Sequence, residues 1–137
     1  MHISNHKYLC YTSLLLVVSL IYFLFTRHKN TSITEYILAL FLIITIIFSQ
    51  CFWNNPVQHS YIHKIDAIIA KIVIISFILY TLMYKFRVSY LVVLTGLAIS
   101  VYFSHTYSSQ EWCSNKHVCC HGMLHIFCFI ASLYAFL

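Results

Sequence analysis

IDAIIAKIVIISFILYTLMY, residues 65–84, decides the fold class, because within it only Asp66 and Lys71 carry charge. A helix needs about 20 predominantly apolar residues to cross roughly 30 Å of hydrocarbon, and this stretch has that length. Segments 8–26, 36–53, 88–104 and 121–137 contain no Asp, Glu, Lys or Arg at all. Backbone polar groups must be paired inside lipid, and none of the segments alternates as a barrel strand does, so each is read as a helix. The expectation is an all-α integral membrane protein, a single domain over residues 1–137. It is a bundle of about five transmembrane helices near 8–26, 36–53, 56–84, 88–104 and 121–137.

Composition supports this. Hydrophobic residues make up 61% of the 137 and charged residues 8%, with two Gly and one Pro, a balance foreign to water-soluble domains. The first segment is too long for a signal peptide's apolar core, and Arg27, His28 and Lys29 stand where a small-residue cleavage site would lie. The net charge of +5 is scattered over the loops without a basic stripe, which excludes a nucleic-acid footprint and leaves membrane lipid as the expected partner. Arg27, Lys29, Lys85 and Arg87 on one side against Lys7, Lys64 and Lys116 on the other are too evenly divided to orient the chain. No selectivity-filter motif or pair of broken helices points to a channel or transporter.

Parity locates the chemistry. With five crossings, the end of the second segment, both ends facing it from the third and fourth, and the start of the fifth share one membrane face. That face collects Ser49, His59, His63, Asp66, His105, Cys113, His117, Cys119, Cys120, His121 and His125, joined by His2 and His6 on the N-terminal arm. Counting back from Tyr84, Asp66 lies about 27 Å along its helix, at the hydrocarbon boundary. Ser49, Asp66, His121 and His125 therefore fall in one thin layer, which requires the second, third and fifth segments to touch there. Asn55-Pro56 reads as a helix cap followed by proline in the first turn, and a helix from Pro56 aligns His59, His63 and Asp66 on one face. Ala67 and Ala70 beside that face allow close approach of a neighbour.

Two imidazoles four residues apart and a carboxylate at the same depth form a candidate metal site, since ionisable groups at membrane depth need partners. Each feature also has a plainer reading. Ser49 fits a packing serine bonded to its own backbone, and Asp66 suits the start of a helix through its charge. His59 and His117 read as loop residues. Lys71, about 7 Å deeper than Asp66 and five residues on, is expected to face elsewhere and to snorkel or pair with another helix. Cys113 bonded to Cys119 or Cys120 is the expectation for the last loop, ahead of a second metal site, while Cys10, Cys51 and Cys128 read as small apolar residues.

Ser49 in FSQCFW, Asp66 in HKIDAIIAK, and His121 and His125 in HGMLH resemble the CREST superfamily of membrane hydrolases. That group includes the alkaline ceramidases, the adiponectin/progestin receptors and GPI-lipid remodelling proteins. The resemblance covers about half of the chain. It implies a zinc-dependent lipid amide or ester hydrolase of the ceramidase type, with zinc on His121 and His125, Asp66 orienting or deprotonating a water, and Ser49 supporting the oxyanion. Two features depart from the family: seven helices are expected and five are found, and Trp53 stands where S-x-x-x-H supplies a third histidine. His63 is the available substitute ligand. The alternative is a non-catalytic lipid-binding or structural membrane protein that has lost its metal.

Overall fold

The computed structural model describes residues 6–27 and 31–137, so His2, His28 and Lys29 lie outside the described residues. The described residues are helical with short connections: α1 (Lys7–Ser13), α2 (Leu15–Thr26), α3 (Ile33–Asn54), α4 (Tyr61–Tyr84), α5 (Tyr90–Gln110) and α6 (Asn115–Phe136). The first two are one span interrupted at Leu14, which gives five stretches long and apolar enough to cross a membrane.

Helix α6 is the hub, packing on α1, α2, α4 and α5. Helix α3 closes the other side by packing on α1, α2 and α4, whereas α4 and α5 do not pack closely on each other. The expected meeting of three elements is therefore met in part through side chains. α4 touches both α3 and α6, while α3 and α6 are bridged by Trp53 against His121.

Polar contacts inside the bundle fix its register. Gln50 of α3 donates from Nε2 to the Cys10 carbonyl (2.7 Å) and the Ser13 hydroxyl (2.6 Å), tying α3 to the chain beside the interruption at Leu14. Ser19 and Ser132 share a hydrogen bond of 2.6 Å between α2 and α6, where small side chains let the backbones approach. Gly96 has the same purpose between α5 and α6, since a methyl group there would overlap the Phe127 ring. Away from the histidines, Glu35 accepts from Tyr80 Oη (2.8 Å) and pairs with Lys85 (3.3 Å), tying the start of α3 to the end of α4.

Several boundaries differ from those read in the sequence. Asn55 ends α3 and does not cap α4, which starts at Tyr61 behind Ser60. His59 consequently sits in the turn, with a positive φ of 62°, and shares no helical face with His63 and Asp66. Helix α5 continues to Gln110 and α6 begins at Asn115, so His117 belongs to a helix and is buried. Hydrophobicity marks where lipid ends; a helix continues through polar turns until a cap stops it. All six cysteines are free thiols, and no bridge links Cys113 to Cys119 or Cys120.

Candidate functional site

α4 and α6 start with the same device. Ser60 Oγ accepts from the His63 backbone N–H, and Ser114 Oγ accepts from that of His117, each at 3.2 Å. The histidine then reaches back: His63 Nδ1 accepts the His59 N–H (3.0 Å) and His117 Nδ1 accepts the Cys113 N–H (3.1 Å). This is a reciprocal cap of the S-x-x-E type with imidazole replacing carboxylate. It needs the residue before the serine in the left-handed region, and Cys113, with φ 56°, repeats His59. The sequence carries the signal as HSYIH and CSNKH.

From His117 a file of imidazoles runs down α6. His117 and His121 rings are 5.7 Å apart and nearly perpendicular, and His121 and His125 are 4.9 Å apart at 88°. His121 Nδ1 meets Ser104 Oγ of α5 at 2.8 Å, and His125 Nδ1 meets Thr12 Oγ1 of α1 at 2.8 Å. Thr12 Oγ1 is also within 3.3 Å of the Leu9 carbonyl, so its single proton has two acceptors in reach. With the Thr12 proton on Leu9, His125 carries its own proton on Nδ1 and has a lone pair on Nε2; with it on His125, the two nitrogens exchange roles.

Helices α3, α4, α5 and α6 enclose a cavity of about 450 Å³. Ser49, His63, Asp66, His121 and His125 all line it, so the residues singled out in the sequence share one space. Its deeper wall is apolar, with Leu42, Val73, Phe77 and Leu97. Toward the membrane face an aromatic group covers it. His63 stacks on Phe52 (4.8 Å, 7°), Trp112 lies 5.1 Å from His63, and Trp53 and Trp112 are stacked at 6.0 Å. Gln58 donates to the Ser108 carbonyl (3.1 Å) and holds the α3–α4 turn over the end of α5.

Several polar groups in this space have nothing to bond. Ser49 Oγ and Trp53 Nε1 are buried without a hydrogen-bond partner. Asp66 is 9% exposed and has no hydrogen-bond or ion-pair partner among the described residues. Lys71 contributes to the lining of the same cavity but is an exposed residue, in keeping with the expectation that it faces elsewhere than Asp66, and it has no partner among the described residues.

The donors can be tested against the zinc that the family resemblance implies. A catalytic zinc takes three protein ligands. His121 and His125 are anchored through Nδ1 by hydroxyls, the kind of outer partner that orients a metal-binding imidazole. His63 is different. Its Nδ1 lone pair is used by the His59 N–H, which puts its proton on Nε2, so it joins a metal only by giving up the cap. Trp53 presents its ring to His121 where a third imidazole is expected, 4.8 Å between centroids. Among the described residues no three His, Cys, Asp or Glu side chains form a metal-holding group. The present side-chain arrangement does not fit a three-ligand zinc.

Sequence reasoning passed over Thr12, Ser104 and Trp112, which orient or cover the histidines. No pattern within the chain announces them, because they approach from other elements. Outside the spans, burial pushes the Cys113 thiol above its ordinary range. No family model matches the chain, and no curated protein or solved structure matches it.

Proposed function

We propose that the protein holds a membrane lipid in the cavity between α4 and α5, as a lipid-binding and not a catalytic membrane protein. The observation that carries this reading is the combination of an apolar wall with unpartnered Ser49 and Asp66 at its outer end. At about 450 Å³ the space lies within the roughly 300–1,000 Å³ of ordinary ligand sites. Each buried polar group left without a partner costs about 1–3 kcal/mol, a cost that a lipid's polar linkage removes. The loose α4–α5 boundary supplies a lateral path from the bilayer, while the aromatic cover separates the site from water.

The test is lipid carried through purification. Wild type is expected to retain lipid after detergent exchange, and Ala70→Phe, which fills the cavity beside Asp66, to retain much less while staying folded. Equal lipid in the two proteins, read by mass spectrometry of the extract, sinks the reading.

The second reading is the zinc-dependent amide or ester hydrolase implied by the CREST resemblance, with His121, His125 and His63 as metal residues and Ser49 and Asp66 as catalytic ones. The observation favouring it is the pair of hydroxyls that contact His121 and His125 through Nδ1, leaving Nε2 of each without a hydrogen bond among the described residues. One zinc per wild-type chain, lost in His121→Ala/His125→Ala, together with turnover of lipid amides or esters, would place this reading first.

A further inference from the structure

Lys71, an exposed base, and Asp66, a buried acid, both contribute to the lining of one cavity and are not paired with each other or with any other described residue. A lone ammonium and a lone carboxyl at membrane depth are each costly, and such groups mark binding sites when a space connects them. Their order along α4 is informative. Asp66 is nearer the histidine-rich face, and Lys71 is five residues, about 7 Å, further in. Five residues are also about 140° around the helix, so Lys71 stands to the side of Asp66, and its flexible four-carbon stem sets the reach of its ammonium. Beyond Lys71 the wall turns apolar, with Val73 and Phe77 on the same helix and Leu97 opposite.

We infer that the ligand is a zwitterionic phospholipid, with its ammonium on Asp66, its phosphate on Lys71 and an acyl chain along the apolar wall. This rests on the lipid-binding reading above and gives it a headgroup. The sequence of groups read inward along α4, acceptor for a cation, donor for an anion, then hydrocarbon, is the sequence in which such a lipid arranges its own groups from the membrane face. A fatty acid or an anionic lipid without an amine leaves Asp66 unmet and adds negative charge beside it. A diacylglycerol leaves both groups unmet. Ser49 Oγ and Trp53 Nε1, two buried polar atoms of the cavity without a partner, are available to the lipid's oxygens.

The experiment offers the purified full chain a detergent micelle with equal dioleoylphosphatidylethanolamine, dioleoylphosphatidylglycerol and dioleoylglycerol, and measures the bound lipid by mass spectrometry. Wild type is expected to enrich the ethanolamine lipid about tenfold over each competitor, the scale of one charge-assisted contact. Asp66→Asn should remove the preference over the glycerol phospholipid, and Lys71→Gln the preference over dioleoylglycerol, each leaving the other preference in place. Wild type that binds the three lipids equally, or variants that keep the wild-type spectrum, would overturn the headgroup assignment while lipid binding itself stands. Wild type that retains none of them overturns the lipid-binding reading beneath it.

Discussion

Trp53 and His121 meet ring to ring, centroids 4.8 Å apart and planes at 61°, and this contact joins α3 to α6 at the top of the cavity. Trp53 is 1% exposed and its indole N–H is unpartnered. The indole thus stands beside the imidazole file on α6, one turn after Ser49 on α3, and lines the same cavity as both.

Replacing Trp53 with histidine tests whether the site is a metal centre short of one donor. Trp53→His is expected to bind zinc more tightly than wild type, because it adds the third imidazole that a catalytic site needs. Metal content after dialysis against a zinc buffer is the readout. Unchanged zinc in the variant would show that His121 and His125 do not converge on a metal position. A cavity left by the smaller ring should also lower the melting temperature.

The serine–histidine caps should behave as two independent units. Ser60→Ala and Ser114→Ala are each expected to cost about 0.5–2 kcal/mol, and His63→Ala and His117→Ala to be comparable or worse. Double-mutant cycles in mild detergent should show strong coupling within Ser60/His63 and within Ser114/His117, and near-additivity across the two caps. Coupling across the caps equal to that within them would reject the assignment.

Gly96 sets how closely α5 approaches α6. Gly96→Ala forces its new methyl against the Phe127 ring, and overpacking of this kind typically costs about 1–3 kcal/mol. Phe127→Leu in the same chain should recover part of the loss. Thermal unfolding of the single and double variants decides: no recovery would mean the helices separate for another reason.

Cys113 supplies a pH test outside the spans. Burial raises its thiol above the ordinary value of about 8.5, so less thiolate is present at a given pH and alkylation is slow. In a chain whose only remaining cysteine is Cys113, maleimide labelling should be slow at neutral pH and rise only at pH above the ordinary thiol range. A chain keeping only the exposed Cys119 should label faster at neutral pH. Similar rates for the two at neutral pH would contradict the partly buried position of Cys113.

The sequence by itself determined the fold class, through the spacing and length of its uncharged segments, since a chain in lipid has few ways to satisfy its backbone. It also determined which residues share a membrane face, because each crossing reverses the direction of the chain. Asp66, Ser49, His121 and His125 were legible for this reason, and the serine–histidine spacing at 60–63 and 114–117 was available though unused. Tertiary structure alone decided what those residues touch. Whether His63 holds a metal depends on which of its nitrogens the backbone occupies, and a turn with His59 at positive φ settles that. Whether Trp53 leaves room beside His121 depends on how α3 meets α6, and the cavity that Asp66 lines exists where α4 and α5 do not pack closely. Hydrophobic patterning specifies that helices are buried in lipid; the contacts between them come from side-chain shape and hydrogen bonding between distant segments, which no local pattern encodes.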